Sequence, residues 1–184
     1  MSVNRRTPKP ISRTTSSDHR SPISSRASAI ERVAQAVLPG MRTRGRGRLL
    51  FVSSILGRVA VPLSGAYAAS KWALEALAET LASEAGHFGI HVTLLQAGAV
   101  SSGGIERAPT LLTDDDPYLP LADQLAAVWG TFITVEEVAA AVADVLEDPD
   151  PPLRVPVGRP AETVLVARRV AVDDMPFRIA PLRW

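Results

Sequence analysis

The sequence predicts an α/β fold in which parallel strands are joined by crossover helices. Three observations carry this. Short continuous apolar runs alternate with longer stretches of helical periodicity. The apolar runs are of the kind expected for strands buried on both faces. The order helix–strand–helix–strand–helix–strand–helix means parallel strands with crossover helices.

Residues 1–22 are dominated by Ser, Thr, Pro and Arg and predict a disordered basic tail. The folded part is expected from residue 23 onward. Ser28 to Leu38 reads as a helix with Ile30, Val33, Val37 and Leu38 on one face, stopped by Pro39-Gly40. A basic turn, Arg42 to Arg48, leads into the strand Leu49–Val52. After Ser53-Ser54 comes a loop with Gly57, Pro62 and Gly65, and then an Ala-rich helix over 66–86 with Leu74, Leu77 and Leu81 on one side. Ile90–Leu95 is a second strand, closed by Ala97-Gly98. Residues 99–131 predict a long loop with one short helix near 121–128. Loops of that length inside a compact domain are more often functional than idle. Thr134-Val-Glu-Glu137 looks like an N-cap with acids in the first turn, opening a helix to Glu147. Leu153–Val157 is a third strand, and 161–171 a last helix.

Composition narrows the class. A 184-residue chain that is 46% apolar and 21% charged is expected to be one soluble domain. With no cysteine, disulfide and thiolate chemistry are excluded, which suits a reducing cytoplasm. No apolar run is long enough to span a bilayer, so no membrane partner is expected. Residues 1–48 hold 11 Lys/Arg against two acids, but no aromatic residue precedes Phe51 to stack on bases. A nucleic-acid partner is therefore not expected either.

The chemistry concentrates in one stretch. The chain has two tyrosines and two lysines, and one of each stands in Tyr67-Ala-Ala-Ser-Lys71. Four residues apart on a helix, they share a face. An ammonium one turn from a phenol favours the phenolate, which is the tuning a general acid/base needs. The same spacing also occurs by chance in surface pairs with no role. Ser54 stands at the carboxyl end of a predicted parallel strand, where open α/β sheets place ligands. Serine is also an ordinary strand-end turn residue.

Taken together, Gly47-Arg-Leu-Leu-Phe-Val-Ser-Ser54, the Gly57/Pro62 loop and Gly65-Ala-Tyr-Ala-Ala-Ser-Lys-Trp-Ala73 resemble the active-site segment of the short-chain dehydrogenase/reductase family. The likeness runs from Ala29 to Val157. It implies a partial Rossmann-like, doubly wound parallel sheet with about three remaining strands, and the following roles. Tyr67 would exchange a proton with the oxygen of a small-molecule carbonyl or alcohol substrate. Ser54 would hold that oxygen, and Lys71 would bind the nicotinamide ribose of NAD or NADP. Gly98, Val100 and Ser102 would flank the cofactor, Ser102 in place of the family's Thr. Loop 99–131 would cover the substrate with Ile105, Leu111, Leu112, Leu119, Leu121 and Trp129, for which core packing is an equal alternative.

Other features depart from the family. Its Gly-rich phosphate turn and Asn-Ala-Gly strand end are not found ahead of the first helix. Gly45-Arg-Gly47 follows a helix and enters a strand, the reverse of the dinucleotide fingerprint. Counting back from Pro39, Arg26 occupies the place of the family's catalytic Asn. Residues 23–184 are thus expected to be a truncated catalytic domain whose first strand lacks a neighbour on one side. Two functions stay open. One is an NAD(P)-dependent oxidoreductase acting through Ser54, Tyr67 and Lys71. The other is a non-catalytic fragment or paralogue that pairs with itself or an intact homologue through helices 28–38 and 66–86.

Overall fold

The computed structural model describes residues 22–172 apart from 106, 109–111 and 129–131, and omits the side chains of 22–28 and 128. The element order is α1 (Pro22–Arg44), β1 (Gly47–Ser54), α2 (Gly65–Ala85), β2 (Ile90–Ala97), α3 (Leu119–Val128), α4 (Val135–Glu147), β3 (Arg154–Val157) and α5 (Arg159–Val170). The strands form one sheet in the order β1-β2-β3, with both pairings parallel. This is part of a Rossmann-like doubly wound sheet.

The central strand shows why the sheet needs helices on both faces. Successive side chains of a strand point to opposite sides. On β2, Val92 and Leu94 enter a core with Ala34 and Leu38 of α1 and Leu74, Ala78 and Leu81 of α2. Leu95 and Ala97 enter a second core with Val145 of α4 and Val157 of β3. A third core lies at the carboxyl edge, where Val59 and Val61 pack with Ala68, Leu121, Leu125 and Leu165. That cluster pins the loop leading into α2 and so fixes where the first turn of that helix sits.

Three expectations need correction. First, β1 is covered less fully than a strand buried on both faces: Leu49, Leu50 and Phe51 are only partly buried and Val52 is 57% exposed, while its pairing with β2 alone among the described residues agrees with the expected missing neighbour. An edge strand has lost the packing that a central strand receives.

Second, α1 does not stop at Pro39 but runs on to Arg44. Proline removes one helical hydrogen bond. Here, however, the Thr43 hydroxyl donates to the Pro39 carbonyl at 3.0 Å, and Met41 packs into the core one turn on.

Third, the buried stripe of α1 is Ile30, Ala34, Leu38 and Met41, while Val33 and Val37 face out. Residues 1–21, expected to be a tail, lie outside the described residues. The N-cap expected at Thr134 is present and forms a capping box: Glu137 N–H donates to the Thr134 hydroxyl at 3.1 Å, and Thr134 N–H donates to Glu137 Oε2 at 2.7 Å.

Candidate active site

In the parallel register Ser54 stands opposite Ala97, so β1 and β2 end side by side. Ser54 then caps a short 3₁₀ turn, Ile55–Gly57, its hydroxyl oxygen accepting Leu56 N–H at 3.2 Å. The hydroxyl keeps its proton for another acceptor, as a group meant to bind an oxygen requires.

Helix α2 brings Tyr67 and Lys71 over this edge in its first two turns. Lys71 Nζ donates to the Val52 carbonyl at 2.8 Å and lies 5.7 Å from the centre of the Tyr67 ring. The ammonium is thus held between β1 and the phenol. Tyr67 is 43% exposed, which leaves it open to a ligand. It stands in the first turn of α2, one turn before Lys71.

Gly98 leaves β2 directly beside Ser54, and a Cβ added there would meet no atom within 4 Å. Val100 bridges to Ile133 in parallel sense. Ile133 N–H donates to the Ala99 carbonyl at 2.8 Å, and Ser101 N–H donates to the Ile133 carbonyl at 2.9 Å. This clasp closes the base of the 99–131 loop, which leaves and returns at one point beside the site. Ser102 lies in an exposed turn, its N–H on the Val100 carbonyl and its own carbonyl accepting from Arg107.

Of the apolar residues expected to cover a substrate, Leu121 belongs to the edge core and Ile105 is exposed. Leu112 and Leu119 are half-buried, and Leu111 and Trp129 lie outside the described residues. Arg26 lies on α1, its side chain outside the description.

These residues fit one end of a nicotinamide dinucleotide. An ammonium, a phenol and a hydroxyl at a strand edge suit a ribose diol and a reacting oxygen, and the open face of Gly98 leaves room beside them. The pyrophosphate end finds no match among the described residues. Gly45 lies between α1 and β1 and Gly47 opens β1, at the wrong end of the strand. Gly158 does precede a helix, but the space beside it is filled by Ile133 Cγ2, 2.4 Å from where a Cβ would be. A phosphate-binding turn would need that space empty.

One set of residues was not anticipated. Glu75, a further turn along the Tyr67/Lys71 face, is a carboxylate only 3% exposed. It accepts from the Ser53 hydroxyl at 2.7 Å, Gln96 Nε2 at 3.1 Å and Arg154 Nε at 2.9 Å. Arg154 also donates to Glu79 at 2.5 Å. Burial alone would lower the Arg154 guanidinium, but its hydrogen bonds to Glu79 and Glu75 outweigh that and hold it above its ordinary value. The hydrogen bond from Arg154, then its charge, holds the Glu79 carboxyl below its ordinary value. The Tyr67–Lys71 spacing extended by four residues would have pointed to Glu75.

The family model described as short chain dehydrogenase matches residues 3–109, reaching into the stretch read as a tail. Human 17-beta-hydroxysteroid dehydrogenase type 1 is 33% identical over 153 residues, which is 78% of this chain and 46% of that protein. A short-chain dehydrogenase from Streptomyces avermitilis matches with a TM-score of 0.69 at 29% identity, over 80% of this chain and 55% of that one. A short chain dehydrogenase from Burkholderia cenocepacia J2315, solved in complex with NADP, matches at 0.62 and 20% identity over 80% and 53%, and supports the fold alone. The chain spans about half the length of the curated relatives it matches.

Proposed function

The chain belongs to the short-chain dehydrogenase family, and from that premise we propose that it is an NAD(P)-dependent oxidoreductase interconverting a carbonyl and an alcohol on a small molecule. The observation that supports this reading is that Lys71, bound to the Val52 carbonyl two residues before Ser54, lies beside the Tyr67 ring. The nicotinamide supplies or takes the hydride when bound.

The chain's own residues handle the oxygen and its proton. In the reducing direction, the Ser54 hydroxyl donates to the carbonyl oxygen and orients it. Tyr67 gives its phenolic proton to the same oxygen as the negative charge develops. Lys71 stabilises the phenolate left behind and offers its ammonium to the ribose hydroxyls. Solvent returns the proton to Tyr67, and oxidation runs the same steps backwards. Gly98, Val100 and Ser102 would hold the nicotinamide end of the dinucleotide. A cysteine-free chain fits the cytoplasm as its place of action.

The test is turnover of NADH and NADPH against a panel of ketones and aldehydes. Tyr67→Phe is expected to lower kcat by about 10²–10⁴-fold, the usual share of a positioned acid/base. A Tyr67→Phe variant as active as the wild type would remove Tyr67 from the reaction.

A second reading is favoured by one observation. Val33 and Val37, one turn apart on α1, are exposed, as is Trp72 on α2. On this reading the chain pairs with itself or an intact homologue through residues 28–38 and 66–86. Sedimentation equilibrium of wild type and Val33→Glu decides it: a dimer that the substitution dissociates supports pairing, and a wild-type monomer that also fails to bind a homologue rejects it.

A further inference from the structure

We propose that Glu75 is a positioning residue for this site, holding the ends of β1 and β2 so that Ser54 is fixed relative to the helix that carries Tyr67. The inference rests on the reading that Ser54, Tyr67 and Lys71 form the reacting set. Tyr67, Lys71 and Glu75 follow one another at intervals of four on α2 and share a face. Two of them engage successive residues of β1: Lys71 donates to the Val52 carbonyl, and Glu75 accepts from the Ser53 hydroxyl. The next residue of the strand is Ser54. Its position relative to Tyr67 is therefore set by two polar ties between the same helix and the same strand end.

Glu75 extends this control to the neighbouring strands. Gln96, which donates to it, stands opposite Ser53 in the register and two residues before Gly98. Arg154, which also donates to it, opens β3. The carboxylate thus joins all three strands to the helix that carries the acid/base pair. Gly57, at the end of the turn that Ser54 caps, lies so close that a Cβ there would come within 2.8 Å of Glu75 Cγ.

A carboxylate this buried is costly to maintain unless each bond is satisfied. A hydrophobic residue of similar volume would hold α2 on the sheet equally well. It would not fix the angular placement of Ser53, because only directional bonds do that. Glu75 touches no group assigned to substrate or cofactor, so it acts through Ser53 and Gln96.

The experiment is amide hydrogen exchange by NMR on the whole chain, comparing wild type, Glu75→Gln, Ser53→Ala and Val145→Ala. Leu56 N–H reports the Ser54 cap directly, and Arg58 N–H and Val59 N–H report the turn it starts. Leu94 N–H, bonded to the Leu153 carbonyl, reports the core. Glu75→Gln and Ser53→Ala are expected to speed exchange at Leu56, Arg58 and Val59 by about tenfold, the worth of one hydrogen bond. Leu94 should stay within about twofold in Ser53→Ala. Val145→Ala, in the opposite core, should instead leave Leu56 no faster relative to Leu94 than in wild type.

Should Glu75→Gln fail to fold, Ser53→Ala, which removes one hydroxyl, carries the test. Exchange that rises equally at every site, or not at all at Leu56, overturns the proposal. In turnover assays Glu75→Gln should lower kcat about tenfold and leave the nucleotide KM within about twofold. Loss of stability with unchanged kcat also overturns it. If the wild type neither binds nucleotide nor turns over, the functional reading fails while the exchange data still decide whether Glu75 sets the Ser54 end.

Discussion

Gly57→Ala should destabilise the fold through a single collision with the carboxylate that organises the site. A Cβ at residue 57 would lie 2.8 Å from Glu75 Cγ, 3.0 Å from Ser53 Oγ and 3.2 Å from Glu75 Oε1. Carbon atoms in contact prefer about 3.5–4.0 Å, so the first of these is short by roughly 0.7 Å. The neighbour cannot swing aside, because Glu75 is buried and holds three hydrogen bonds. Overpacking of this kind costs about 1–3 kcal/mol. Alanine restricts the unfolded chain and returns about 0.4–1 kcal/mol. The net loss should be about 1–2 kcal/mol, which for a domain of this size lowers Tm by roughly 2–8 °C.

The assay is urea and thermal unfolding followed by circular dichroism. A double-mutant cycle with Glu75→Ala identifies the cause. Without Glu75 Cγ, the Gly57→Ala penalty should shrink by about 1 kcal/mol or more. A Gly57→Ala variant as stable as wild type, or an equal penalty in both backgrounds, would refute the reasoning.

Two further predictions concern stability. Hydrogen bonding to Arg154 lowers the Glu79 pKa in the folded state, so the pair stabilises fully above the unfolded value of 4.5 and loses its effect as pH falls through the lowered folded value. Thermal scans of wild type and Glu79→Gln should therefore differ at neutral pH and converge well below pH 4.5; a difference that persists in acid would contradict this. Thr134→Ala removes one half of the α4 capping box and should cost about 0.5–2 kcal/mol in urea unfolding, whereas Thr134→Ser should be close to neutral.

Much of the fold was legible because the sequence patterns are local. The helix at Thr134 announces itself through its own capping box, and α2 through an Ala-rich stretch without Pro or Gly until Gly86. The β2 run is apolar because both its faces are covered, and the structure buries Leu94 and Leu95 completely. The strand β1 carries an equally apolar run, yet Val52 is exposed. The missing neighbour of β1 was legible from the family resemblance, but a run's own apolar residues do not say how much of each face is covered.

The extent of α1 was missed for a similar reason. Pro39 is a local stop signal, and packing of Leu38 and Met41 against the core overrides it. Ser54, Tyr67 and Lys71 were visible as a spaced set of reactive side chains. Glu75 was not, because a glutamate on a helix reads as a solvated residue until three distant donors, Ser53, Gln96 and Arg154, are folded onto it. The fate of loop 99–131 depends on the clasp between Val100 and Ile133, a contact between residues 33 apart that no periodicity encodes.

The central claim is that the β1 edge with Tyr67 and Lys71 receives the nicotinamide end of a dinucleotide. The most direct measurement is a titration of the purified chain with NADH and NADPH. It can be followed by heat and by tryptophan fluorescence, for which Trp72 stands next to Lys71 as a reporter. Saturable binding is predicted, weakened roughly tenfold or more in Lys71→Met through loss of a charged hydrogen-bond donor. No binding of either nucleotide, or binding unaffected by Lys71→Met, would contradict the account.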